Sequence, residues 1–357
     1  MDQKGVMELR RRFTKDACTL QRIRSVYVDS NKHKVTTANS QFLTLSEEEF
    51  FKYLEIAKKT LSGKAGDALL DVNMHTGDEG QKDLVQLLNA LKSGKLEEDA
   101  LAEQMFDHII ETYDSEEPYF IVLYYDAYDV PVKTSDNNKL DESDEVYEYL
   151  LCSICPVKMS KPGLGYLEDK NVIGPRNRDW VVQPPVCGFL YPAFNERSSD
   201  PDAALFYSKN TKDPDHSFMT QLLGSPMVES KTEKMEKFAS VLNITLDDTS
   251  NKETLTYNFH EKLNELAEER ADQDKEDSPL TVADVKEVAK EAGLDEDQAE
   301  VVAKTYEKTF RNEEPSAATV VNTKILDQQL VKENAELKAC IVELMAENKR
   351  LKEKLGE

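Results

Sequence analysis

The hydrophobic positions change period several times along the chain. Ser46 and Glu49 fit a capping box, Phe50, Leu54 and Leu61 follow at helical spacing, and Gly63 stands where a helix stops, which predicts a helix over 46–62. A second amphipathic helix runs through Leu84, Leu87, Leu88 and Leu91 to end near Gly94, and a third through Leu101, Met105, Ile109 and Thr112. Upstream, residues 8–24 (ELRRRFTKDACTLQRIR) mix Leu9, Phe13, Leu20 and Ile23 with six basic residues. They read as a basic helix leading into a short strand at Val26-Tyr27-Val28. Residues 1–115 are therefore expected to be mainly helical.

From Tyr119 the texture becomes β-branched and aromatic. YFIVLYYDAYDVPV (119–132) predicts a buried strand stopped by Pro131, followed by a polar loop at TSDNNKLDESDE. Val146–Val157, Trp180–Phe189 and Ala203–Tyr207 are also strand-like, and Gly and Pro turns separate them. Helix returns from about residue 216, with Phe259, Leu263 and Leu266 on one stripe, and AEERADQDKEDS reads as a linker. Thr281 and Asp295 can cap the two helices of a hairpin over 279–311, and 312–321 reads as a second linker. The expected fold is α+β: a helical region (1–115), an α+β core (116–270) with a central mixed or antiparallel sheet, and a helical C-terminal region comprising the hairpin and a parallel coiled coil (322–357).

The coiled coil rests on a heptad repeat. Leu330, Leu337, Leu344 and Leu351 recur every seven residues at d, and Asn334, Ile341 and Asn348 precede three of them at a. Leucine at d favours two parallel strands, and an asparagine at a is best satisfied by its symmetry mate. In that arrangement Glu333 faces Lys338 of the other helix and Glu347 faces Lys352, whereas an antiparallel pair would oppose glutamate with glutamate. A parallel homodimer is expected, the alternatives being docking of the ridge on the chain's own body or a heterodimer. Pro315 interrupts the segment before the zipper, which excludes the continuous basic helix of a zipper-type DNA reader.

Charge narrows the partners. The chain of 357 residues carries a net −24, yet residues 1–64 hold 13 Lys+Arg against 8 Asp+Glu, a local +5 that leaves −29 for the remainder. Most of the surface repels nucleic acid, and only the N-terminal segment, with Arg10, Arg11, Arg12, Lys15, Arg22 and Arg24, could approach RNA or a ribosome. No stretch of eighteen apolar residues occurs, so no membrane partner is expected. Met1 is followed by polar residues, and five cysteines are an odd number spread over a long chain, so a cytoplasmic location is expected.

Candidate chemistry is sparse. Cys152-Ser153-Ile154-Cys155 is a CxxC that could serve redox or metal chemistry with Cys187 as a third ligand, but it lies in an apolar strand pattern that would turn the two thiols to opposite faces. Asp126 and Asp129 end the strongest strand, where acids serve either as turn formers or in acid/base work. Glu196 and Arg197 follow an apolar run and either line a pocket or enter an intramolecular ion pair at a strand end. Gly163-Leu164-Gly165 lacks the lysine of a phosphate loop, and the five histidines stand in no ligand motif. No cofactor is called for and no catalytic residue is assigned.

ELRRRF, YYDAYDVP, LLCSICPVK and DWVVQPPVCGFLYPAFNERSSD together resemble the bacterial family of domain of unknown function 4317, seen mainly in clostridial Firmicutes. The resemblance spans roughly residues 5–325 and implies no activity. It also implies a β-rich continuation after Val320–Lys324, where this chain has the zipper instead. The leading expectation is a non-enzymatic scaffold protein acting as a homodimer on an unknown protein partner. The alternative is an RNA- or ribosome-associated factor using the basic N-terminal helix. A third reading is an enzyme whose site gathers Asp126, Asp129, Cys152 and Glu196.

Overall fold

The computed structural model describes residues 1, 3–74, 79–133, 139–195, 198–247, 249, 251–311, 313–329, 331, 337, 338, 341 and 343–345. It forms two compact units, Met1–Ser230 and Lys231–Glu357. The division falls well after the expected border at 115/116, which lies inside one sheet.

The first unit contains twelve strands among the described residues: β1 (Arg22–Val28), β2 (Lys34–Gln41), β3 (Leu69–Asn73), β4 (Tyr119–Lys133), β5 (Lys139–Met159), β6 (Leu164–Leu167), β7 (Val172–Pro175), β8 (Trp180–Val182), β9 (Cys187–Tyr191), β10 (Ala193–Asn195), β11 (Ser198–Asp200) and β12 (Ala203–Ser208). Eight of them make one sheet in the order β2-β1-β4-β5-β9-β12-β3, with β8 added to β5. Every strand pairing in it is antiparallel. Three of its strands thus come from the region expected to be mainly helical.

Period-2 alternation along β4 decides which helices cover which face. Ile121, Leu123 and Tyr125 point into one core, closed by α3 (Glu79–Lys92), α4 (Asp99–Thr112) and α5 (His216–Leu223). Val122, Tyr124, Tyr128 and Val130 point into the other, closed by α1 (Gln3–Arg12) and α2 (Glu47–Thr60). The Ser46–Glu49 capping box forms as expected and starts α2. The basic helix, expected over 8–24, instead ends at Arg12, and Arg22 and Arg24 stand on β1. Pro131 does not stop β4: the ladder shifts register at Val130/Pro131 and Pro131/Lys133 and continues. The acid-rich stretch expected as loop is partly strand, because β5 begins at Lys139. Trp180–Phe189 splits into β8 and β9 around Pro184-Pro185, which cannot donate to a ladder. Gly165 belongs to β6, the first strand of a small hairpin with β7.

The second unit is helical among its described residues: α6 (Lys231–Thr245), α7 (Lys252–Asp272), α8 (Val282–Glu291), α9 (Glu296–Thr309) and α10 (Ala317–Val320). Its core joins Phe238, Leu242, Phe259, Leu263, Val285, Val302 and Tyr306. The hairpin of α8 and α9 carries both expected caps, Thr281 and Asp295, each as a complete capping box. Two expected linkers belong to this unit instead. AEERAD completes α7, and α10 buries Ala317 and Val320 in the core.

Candidate functional site

Among the described residues Asp126 is the one carboxylate that the sheet buries outright, at 1% exposure, on the face covered by α1. Its cross-strand partner Tyr149 donates a hydroxyl to Oδ2 at 2.8 Å, and Thr19 donates a second at 3.0 Å. The Arg12 guanidinium donates to the Thr19 hydroxyl at 2.8 Å and lies 3.8 Å above the centre of the Tyr128 ring. Oδ1 is buried with no hydrogen bond among the described residues. Burial raises the Asp126 pKa, with Tyr149, Thr19 and the Arg12 charge opposing the rise. The arrangement ties α1 to the sheet and holds the carboxylate buried. Asp129, three residues on, is exposed and belongs to the other face, so the two acids do not form a pair.

The cysteines are also core groups. Cys152 packs with Leu150 and Ile154, while Cys155 shares the opposite face with Ser153, whose hydroxyl lies 2.6 Å from that of Thr60 on α2. Burial pushes the Cys155 thiol up to about 12 and those of Cys152 and Cys187 well above the ordinary value, so all three stay protonated. Cys152, Cys155 and Cys187 are free, and among the described residues no group of His, Cys, Asp and Glu could hold a metal. Glu196 and Arg197 lie outside the described residues.

The six basic residues do not form one surface. Arg24 is buried and donates to the Leu96 carbonyl at 3.1 Å and to Asp99 at 2.5 Å. Arg22 reaches Glu97 at 2.9 Å and Lys15 reaches Glu47 at 2.8 Å. With Arg12 held at Thr19 and Tyr128, of the six only the side chains of Arg10 and Arg11 have no ion pair or hydrogen bond among the described residues.

Arg10 lines a groove that the strand pattern did not reveal. The groove encloses about 810 Å³ between the C-terminal half of α2 and β8, with Ile56, Trp180, Val181, Val182, Pro184 and Pro185 as its apolar lining and Lys52, Glu55, Lys58 and Lys59 at its rim. Every residue of β8 is exposed, and Trp180 is 55% exposed although it is the only tryptophan of the chain. That single tryptophan, followed closely by two prolines, was the signal in the sequence.

A family model described as a domain of unknown function (DUF4317) matches residues 1–344. The chain belongs to this family. Comparison with curated proteins and with solved structures gives no match. The DUF4317 match runs past residue 325 and into the heptad segment, so the expectation that likeness to the family stops before the zipper is corrected. Of the ridge in this DUF4317 chain, Leu330, Asn334, Asn348 and Leu351 lie outside the described residues. Leu337, Ile341 and Leu344 are helical and 61%, 51% and 60% exposed, while residues 323–329 form helix and Leu326 packs against the second unit's core. No helix among the described residues is long and apolar enough to cross a membrane.

Proposed function

We propose that this DUF4317 protein is a non-enzymatic interaction protein of the cytoplasm that acts as a parallel homodimer through its heptad segment. The observation that carries the reading is the exposure of Leu337, Ile341 and Leu344, three successive ridge positions of the heptad repeat. Three large aliphatic side chains on one helical stripe favour burial against a second helix, since an isolated helix of this length is marginal in water. The g-to-e charge pairs and the a-position asparagines select a second copy in the same direction. Inert thiols and a closed carboxylate support a binding role over a catalytic one. Dimerisation would present two copies of any binding surface on the body and raise avidity.

Sedimentation equilibrium of the full chain beside a truncation ending at Thr323 tests this. A dimer that becomes a monomer on truncation is expected, and equal subunit numbers for the two would sink the reading. Substituting Leu337 and Leu344 by Lys together should reproduce the truncation.

A further inference from the structure

We propose that the groove between α2 and β8 binds an extended, acidic segment of a partner protein, which adds to the sheet as a strand beside β8. The backbone of β8 has a free side. Val157 donates its N–H to Pro118, away from β8, whereas Ser160 donates to the Asp179 carbonyl and Gln183 to the Pro156 carbonyl, all at 2.8 Å. Alternation along the strand therefore turns Val181 toward β5 and turns the N–H and C=O of Trp180 and Val182 outward, where no strand pairs among the described residues. An exposed strand edge of this kind accepts an extended peptide by main-chain hydrogen bonds, and flanking pockets choose its side chains.

Charge and shape choose the side chains here. Arg10, Lys58 and Lys59 line the groove without an ion pair among the described residues, and Arg10 Nε is shielded from solvent without an acceptor. Three uncommitted cations on a chain of net charge −24 are complementary to carboxylates. Between them Ile56, Trp180, Val181 and Val182 form an apolar lining that suits alternate aliphatic or aromatic residues. A polynucleotide fits less well, because the rest of the chain repels a long polyanion and the groove offers a single aromatic ring for stacking. The occupant is thus a strand in which apolar and acidic residues alternate.

The single tryptophan makes the groove directly readable. Full-length protein is titrated with an acetylated heptapeptide of alternating valine and glutamate while tryptophan emission is followed. A saturable blue shift is expected, and the valine/lysine counterpart should give none. Val182→Pro removes an outward N–H without touching the ladder to β5, so it should keep the far-ultraviolet spectrum and the unfolding midpoint yet weaken the peptide about tenfold or more. Lys58→Glu with Lys59→Glu should weaken it by about the same factor and leave the fold intact. No emission change with the valine/glutamate peptide, equal binding of the valine/lysine peptide, or undiminished binding by Val182→Pro would overturn the proposal. Tighter binding of an oligothymidylate than of the peptide would also overturn it, in favour of a nucleic-acid groove.

Discussion

Asp126 and Tyr149 face each other across β4 and β5, and the tyrosine hydroxyl meets Oδ2 at 2.8 Å while Oδ1 is buried without a hydrogen bond among the described residues. Half of a buried carboxylate is thus unsatisfied, which favours its neutral form and explains the direction of its pKa. A carboxyl whose pKa is raised on folding binds its proton more tightly in the native state. Its contribution is therefore fully present below the ordinary value of 3.8 and is lost as pH rises through the folded value. Asp126→Asn should remove that dependence, so the unfolding midpoint of the variant should gain on that of the natural protein as pH rises from 4 to 8. A constant difference would show that Asp126 does not titrate in that range. Tyr149→Phe takes away the better donor and should cost about 1–3 kcal/mol in urea unfolding at neutral pH.

Gly188 on β9 allows the sheet to close against α2. A Cβ there would stand 2.2 Å from the backbone oxygen of Cys152 and 2.9 Å from the Thr60 methyl group. The first contact is with main chain in the middle of the sheet, which cannot give way without breaking the β5–β9 ladder. Gly188→Ala should therefore destabilise by about 3 kcal/mol or more, measured by chemical unfolding. Gly163→Ala, whose Cβ would meet only the Arg176 side chain at 3.5 Å, serves as the control and should be close to neutral.

Local signals were legible in the sequence, and long-range ones were not. The Ser46, Thr281 and Asp295 caps read correctly because each box is closed within four residues. The first part of β5 did not, because Asp141 and Asp144 disfavour strand on their own, and the segment is extended by long-range pairing of Lys139, Ser143 and Glu145 with β4. Trp180–Phe189 reads as one strand because apolar residues flank the prolines on both sides. What matters at Pro184-Pro185 is the missing donor, which ends one strand and leaves β8 as a free edge. That Cys152 and Cys155 turn to opposite faces followed from period 2 alone, whereas the ties of Arg24 to Asp99 and of Arg12 to Thr19 depend on tertiary placement.

The start of α8 offers a graded test of capping. Thr281 Oγ1 accepts from the Asp284 N–H, and Asp284 in turn accepts from the Thr281 N–H at 2.8 Å and from Arg270 at 2.7 Å. Thr281→Ala should cost about 1 kcal/mol. Asp284→Ala should cost more, since it also removes the ion pair to Arg270, whose guanidinium keeps only its bonds to the Ser278 and Pro279 carbonyls, and the Asp284 carboxylate is held below its ordinary pKa by Thr281 and Arg270 despite its partial burial. Thermal unfolding of the two variants beside the natural chain checks the order, and equal losses would mean that the Arg270 pair adds nothing.

His260 gives the helical unit its own response to acid. The ring is buried against Phe238, its Nδ1 accepts the Asn322 N–H at 3.3 Å, and Nε2 has no partner among the described residues, so burial lowers the pKa to about 4 from an ordinary 6.5. A proton on this ring would be desolvated and would lose the Asn322 bond. The unfolded chain takes up that proton near pH 6.5 and the folded one does not until about pH 4. The stabilisation is therefore complete above the unfolded value and declines as pH falls between the two. The loss across that window is about 3 kcal/mol at roughly 1.4 kcal/mol per pKa unit. His260→Phe has no proton to bind, so its unfolding midpoint should vary less than that of the natural protein between pH 6.5 and 4, even though it starts lower through loss of the Asn322 contact. Parallel curves for the two proteins would mean that His260 is protonated as readily in the folded chain as in the unfolded one.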